Sequence, residues 1–156
     1  MADTFTCHLD WSGAAAGPTV DANRFSRELT VTFGPAGPSA LPMSAAPAYK
    51  GDEGRLNPEL LLVSALSSCQ ALTYLFLAAR GGVAVTAYSD DAEGHLGIVD
   101  GRMRVSRITL RPIITLAADA DQTKAEGLIE KAHQQCFISN SVTTRISVEP
   151  QFRRAA

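Results

Sequence analysis

Asn57-Pro58-Glu59-Leu60-Leu61-Leu62-Val63-Ser64-Ala65-Leu66-Ser67-Ser68-Cys69-Gln70-Ala71-Leu72 opens a run that carries no charged residue from Leu60 to Ala79 and stops at Arg80-Gly81-Gly82. Asn57 can serve as N-cap, Pro58 suits the first helical position, where its missing N–H costs nothing, and Glu59 complements the positive end of the helix dipole. The stretch predicts one long helix. About 20 apolar residues also suffice to cross a bilayer. Here Ser64, Ser67, Ser68, Gln70 and Thr73 interrupt the run, and its flanks read as an ordinary soluble domain, so no membrane span is expected. A helix apolar on most faces is then a central one, surrounded by protein.

Working outward toward the N-terminus, residues 3–11 and 25–33 read as strands, with Phe25, Leu29, Val31 and Phe33 set against Ser26, Glu28, Thr30 and Thr32. Residues 13–20 read as a loop. Residues 34–54 are rich in Gly, Pro, Ala and Ser, with too few large apolar groups for a core element, and so long a connection is often functional. Beyond the helix, residues 83–89 and 104–116 carry strand-like runs, with Glu93-Gly94 and Asp100-Gly101 as turn signals in an antiparallel meander. Ala125, Leu128, Ile129 and Ala132 predict a second helix over 121–135, and 143–149 a last strand.

These elements define an α+β class, and 156 residues at 46% hydrophobic composition bury one substantial core, so a single domain over 1–156 is expected. A formal net charge of -2 gives no general attraction to phosphate backbones or anionic membranes, which argues against a nucleic-acid partner. Met1-Ala2-Asp3-Thr4-Phe5-Thr6 has no basic segment followed by an apolar stretch. Together with an odd count of three cysteines, this fits a reducing, cytoplasmic setting better than a secreted disulfide framework.

Two of those cysteines fall on apolar stripes. Leu62, Leu66, Cys69, Leu72 and Phe76 recur at three- and four-residue steps on the first helix, and Ala125, Ile129, Ala132 and Cys136 follow the same rule on the second. If the stripes face each other, the thiols can approach the Cα separation of roughly 4.4–6.8 Å that a disulfide requires. Free cysteine also serves as a small core hydrophobe, so spacing leaves both readings open. His133, three residues before Cys136, raises a metal site with Cys69, but structural zinc wants four ligands and no fourth is evident; no metal and no cofactor are expected. Cys7 reads as a packed or partly exposed thiol, Trp11 as core or pocket, and Arg102, Arg104, Arg107 and Arg111 as a solvated sheet face.

Residues 57–69, taken with Ala132-His133-Gln134-Gln135-Cys136-Phe137-Ile138-Ser139-Asn140-Ser141, resemble the paired cysteine motifs of the OsmC/Ohr family. The likeness extends to Tyr49-Lys50-Gly51-Asp52 and to residues 86–94. It implies an α+β fold in which antiparallel sheets wrap a long central helix, with a second helix, in an intertwined homodimer. It further implies a thiol peroxidase acting on organic hydroperoxides, with Cys69 as the peroxidatic and Cys136 as the resolving cysteine. A sulfenic acid on Cys69 would condense with Cys136, and a dithiol reductant would reopen the disulfide.

A thiol in apolar surroundings is inert until its thiolate is stabilised. With Cys69 in mid-helix, a cation is expected to come from elsewhere. The family uses an arginine held by the glutamate that matches Glu59. Lys50 stands at what looks like the arginine position of one branch and cannot form a guanidinium's bidentate fork. Arg55 is therefore the preferred partner of Glu59, with Arg24 and Arg27 more distant. Gln70 replaces the histidine common after the helical cysteine. Glu59 precedes Cys69 by ten residues, about 15 Å along a helix. Both fit one active site only if Glu59 serves a second subunit or acts through a long cation. Two antiparallel copies of the helix, meeting at Ser64, Ala65, Ser67, Ser68 and Ala71, satisfy this. Leu66, Leu72, Phe76 and Phe137 are expected to line an apolar substrate pocket. A non-catalytic module for a hydrophobic ligand and a thiol redox sensor are the alternatives on the same fold.

Overall fold

A computed structural model describes residues 3–34 and 40–155. They fall into two compact units, Met1–Leu61 and Leu62–Ala156, and the long helix begins in the first and ends in the second. The first unit holds β1 (Cys7–Asp10), β2 (Leu29–Phe33) and β3 (Leu41–Met43) in one antiparallel sheet of order β1-β2-β3. β3 corrects the expectation that residues 34–54 lack a core element. Met43 is buried and pairs with Leu29, so one well-placed large side chain suffices where composition alone is poor. Residues 35–39 of that connection lie outside the described residues. A short 3-10 turn over Ser12–Ala16 occupies the expected loop, and Trp11 donates its indole N–H to the Ser26 carbonyl at 2.8 Å.

Helix α1 runs Pro58–Arg80 as expected, and Asn57 caps it by accepting the Leu60 amide on Oδ1 at 2.9 Å. By length and composition it could cross a bilayer. Its buried stripe of Leu66, Gln70, Tyr74 and Ala78 nonetheless packs on protein.

In the second unit follow β4 (Val85–Asp90), β5 (Glu93–Val99), β6 (Arg102–Leu110), β7 (Pro112–Leu116), α2 (Gln122–Gln135), α3 (Phe137–Ser141), β8 (Arg145–Val148) and β9 (Gln151–Arg154). They form two three-stranded sheets, β4-β7-β9 and β5-β6-β8. Tyr74 and Ala78 join Val83, Ile114, Leu116, Ala125, Leu128 and Ala132 in one core cluster, while Leu66 joins Ile108, Leu110 and Cys136 in the other.

Three sequence expectations change here. The run 104–116 is two strands in two sheets: Pro112 has no N–H to continue a ladder, and the Arg111 amide is taken by Asp90 Oδ1 at 2.7 Å. Glu93-Gly94 is not a turn but the start of β5. Gly94 faces α1 so closely that a Cβ there would lie 2.5 Å from Val63 Cγ2, which is why glycine interrupts an otherwise readable strand. Asp100-Gly101, both at positive φ, does make the hairpin turn between β5 and β6. The meander is also mixed, since β8 and β9 pair in parallel with β6 and β7. β9 escapes a pattern reading because Glu149-Pro150 separates it from β8.

Candidate active site

Cys69 and Cys136 belong to one apolar cluster, and both are free thiols. Cys69 is half-buried on α1, while Cys136 has no exposed surface. Cys136 is not the last residue of a helical stripe. It adopts an extended conformation (φ -71°, ψ 115°), closes α2 and caps α3, its Sγ accepting the Ser139 amide at 3.5 Å. That break turns the first amides of α3 toward the other cysteine.

Burial pushes the Cys69 thiol up, but the Ile138 amide, the Cys136 thiol, the Phe137 amide and the nearby Thr73 hydroxyl, which itself donates to the Cys69 carbonyl at 2.8 Å, favour the thiolate, and the balance holds it below the ordinary cysteine value. For Cys136, burial dominates. The Ser139 hydroxyl and amide only partly offset it, the neighbouring Cys69 adds to it, and the thiol is held above the ordinary value. The two sulfurs are thus shifted in opposite directions, Cys69 toward thiolate and Cys136 toward thiol, the sense a nucleophile and a resolving group need.

The expectation that only a cation could activate a mid-helix cysteine overlooked these amides. Backbone donors of this kind carry no signature in side-chain type. Thr73 and Ser139 were likewise missed.

Beside Thr73 lies an open apolar cleft of about 470 Å³ lined by Leu72, Thr73, Phe76, Gln135, Phe137 and Asn140. Three of the four expected pocket residues line it. Leu66 does not: it is fully buried against Ile108 and Leu110, because the stripe that carries it faces the sheet. Leu72, Phe76 and Phe137 are exposed by 69%, 61% and 80%, so the cleft wall is apolar surface without cover among the described residues.

The acid and cations ahead of the helix fall in the Met1–Leu61 unit. Arg55 is not paired with Glu59. Its guanidinium reaches Asp52 at 3.3 Å and Glu28 at 3.4 Å, carboxylates that arrive from the preceding turn and from the approach to β2. Lys50, in the left-handed region at φ 64°, donates to Asn23 Oδ1 at 2.5 Å. Arg27 lies over the Phe25 ring and donates to the Phe25 and Ala22 carbonyls. Glu59 Oε2 is buried with no hydrogen-bond partner among the described residues, an uncompensated acceptor that a donor from elsewhere would satisfy. Gln70 points into the core with neither amide atom hydrogen-bonded among the described residues, and so does not serve in place of an imidazole at Cys69.

Fold and site together define an α+β thiol protein built around a paired cysteine couple. Residues 51–151 match the model of the OsmC-like protein family, and the chain belongs to that family. It is 26% identical over 96 residues to the uncharacterized protein YmaD of Bacillus subtilis, covering 60% of this chain and 64% of that one, slightly under two thirds of its length. It is 24% identical over 105 residues to Peroxiredoxin OsmC of Escherichia coli, covering 67% and 72%. Among solved structures, the OsmC-like protein of unknown function VCA0330 from Vibrio cholerae aligns over 96% of this chain and 100% of its own with 30% identity and a TM-score of 0.87. An organic hydroperoxide resistance protein OsmC from Legionella pneumophila, at 19% identity, 98% coverage of both chains and a TM-score of 0.71, shares the fold.

Proposed function

We propose that this chain is a thiol-dependent peroxidase that reduces organic hydroperoxides. The observation that carries the reading is a Cys69 thiol held below its ordinary value against a Cys136 thiol held above it, in one cluster whose chain neighbours Thr73 and Phe137 line an apolar cleft. Cys69 thiolate attacks the peroxide O–O bond, giving a sulfenic acid and releasing the alcohol. Cys136 then closes the disulfide with loss of water. A dithiol reductant reopens it, in a reducing, cytoplasmic setting. The cleft's Leu72, Phe76 and Phe137 favour an alkyl or lipid hydroperoxide over hydrogen peroxide.

The working species is a homodimer. Leu60, Leu72 and Phe76 project exposed from a helix whose buried residues form a single stripe, and apolar surface of this kind marks an interaction site. A second copy packed antiparallel along α1 covers it and can bring a donor to Glu59 Oε2.

Turnover of an organic hydroperoxide with a dithiol, compared with hydrogen peroxide and with Cys69→Ser, tests the reading. Fast turnover with the organic substrate, abolished in Cys69→Ser, is expected. Stoichiometric oxidation without turnover identifies a redox sensor, and no oxidation at all identifies a ligand-binding module. Sedimentation of the wild-type protein and of Leu72→Asp tests the dimer: two copies and one copy, respectively, are expected.

A further inference from the structure

Cys136 has no direct route to water, since none of its surface is exposed. Attack at sulfur is made by thiolate, yet this thiol sits in a cluster with Leu66, Ile108 and Leu110 that favours the neutral form. Disulfide closure therefore requires a base at the moment of attack. Among the described residues, Ser139 is, apart from Cys69, the polar residue placed on the Cys136 sulfur: its amide donates at 3.5 Å, and its hydroxyl lies beside the same atom as a rotor that donates to a thiolate and accepts from a thiol. That hydroxyl lies 3.4 Å from Nδ1 of His133. His133 is half-buried in the last turn of α2, within reach of solvent. One break in the chain, at Cys136, brings the three residues together.

Resting on the peroxidase reading, we propose that Ser139 and His133 form a proton relay that deprotonates Cys136 for disulfide closure. His133 starts with its proton on Nε2. Once Cys69 is oxidised and no longer a thiolate that holds the Cys136 proton, the Ser139 hydroxyl turns toward His133, and Cys136 S–H passes its proton to Ser139 Oγ while Ser139 passes its own to His133 Nδ1. The Cys136 thiolate attacks the sulfur of the Cys69 sulfenic acid, the S–S bond forming as the S–O bond breaks. The departing hydroxide takes up a proton to become water, and His133 returns one to solvent. Sulfenic acid and thiol thus give disulfide and water, with no further oxidant or reductant. Ser139, on the reacting sulfur, is a catalytic residue; His133, acting through it, is a positioning residue.

Full-length protein in a Cys7→Ser background, treated with a stoichiometric aromatic disulfide, dithiobis(nitrobenzoate), provides the test. Cys69 displaces the first thionitrobenzoate and Cys136 the second, so two phases of colour release report the two sulfurs without any peroxide. The second-phase rate relative to the first should fall about 10-fold or more in Ser139→Ala and in His133→Gln, as expected for loss of a general base. Ser139→Thr, which keeps the hydroxyl, should retain most of the ratio. A purely structural role would slow both phases together. An unchanged ratio in Ser139→Ala or His133→Gln overturns the relay. Because no hydroperoxide is used, failure of the peroxidase reading would appear separately, as a Cys69 that organic hydroperoxide does not oxidise.

Discussion

Leu66→Ala separates the cavity wall from the cleft wall. Leu66 is fully buried, one helical turn before Cys69, in contact with the cluster of Ile108, Leu110 and Cys136. The substitution removes three carbons, about 2.4 kcal/mol of transfer energy at roughly 0.8 kcal/mol each. A cavity term adds to this. β6, which supplies Ile108 and Leu110, is hydrogen-bonded on both sides by β5 and β8 and has little freedom to collapse into the space. The total should reach about 4 kcal/mol, in the upper half of the range for buried leucines. With a urea slope of about 2 kcal/mol per molar, the unfolding midpoint should drop by about 2 M. Urea titration followed by far-UV circular dichroism measures it. Leu72→Ala, at a position 69% exposed in the single chain, is the comparison. A loss below about 1 kcal/mol with an unchanged slope would mean that Leu66 is not a core wall at all, and that its cluster does not position the cysteines.

Phe76→Ser, on the cleft wall, should reduce kcat/KM for a bulky organic hydroperoxide more than for hydrogen peroxide; equal losses would remove the cleft as the substrate site. Gly94→Ala should destabilise by about 1–2 kcal/mol, because the new methyl meets Val63 Cγ2 at 2.5 Å and only part of that cost is offset by a stiffer unfolded chain; a neutral result in urea would show that α1 can move away from β5. Because the Cys136 thiol is held above its unfolded value, its contribution to stability is complete below the ordinary thiol range and is lost as pH rises through the raised value. Thermal unfolding of the reduced protein should therefore weaken on the alkaline side, and Cys136→Ala should flatten that part of the profile.

Much of this protein is written locally. A helix from Pro58 to Arg80 follows from an N-cap, a proline at the first position, an uncharged run and a glycine pair at its end. The hairpin turn at Asp100-Gly101 follows from residues that tolerate positive φ. None of these depends on a distant partner, so sequence alone determines them. What escaped the sequence depends on groups remote in the chain. The run 104–116 divides because Asp90 captures the Arg111 amide, and a glycine stands in β5 at position 94 because Val63 leaves no room for a side chain. Arg55 turns to Glu28 and Asp52 because those carboxylates lie within its reach. The thiolate-favouring state of Cys69 is likewise a tertiary fact. It depends on amides nearly seventy residues away, released by a break at Cys136, and hydrogen-bond donors of that kind carry no signature in side-chain type.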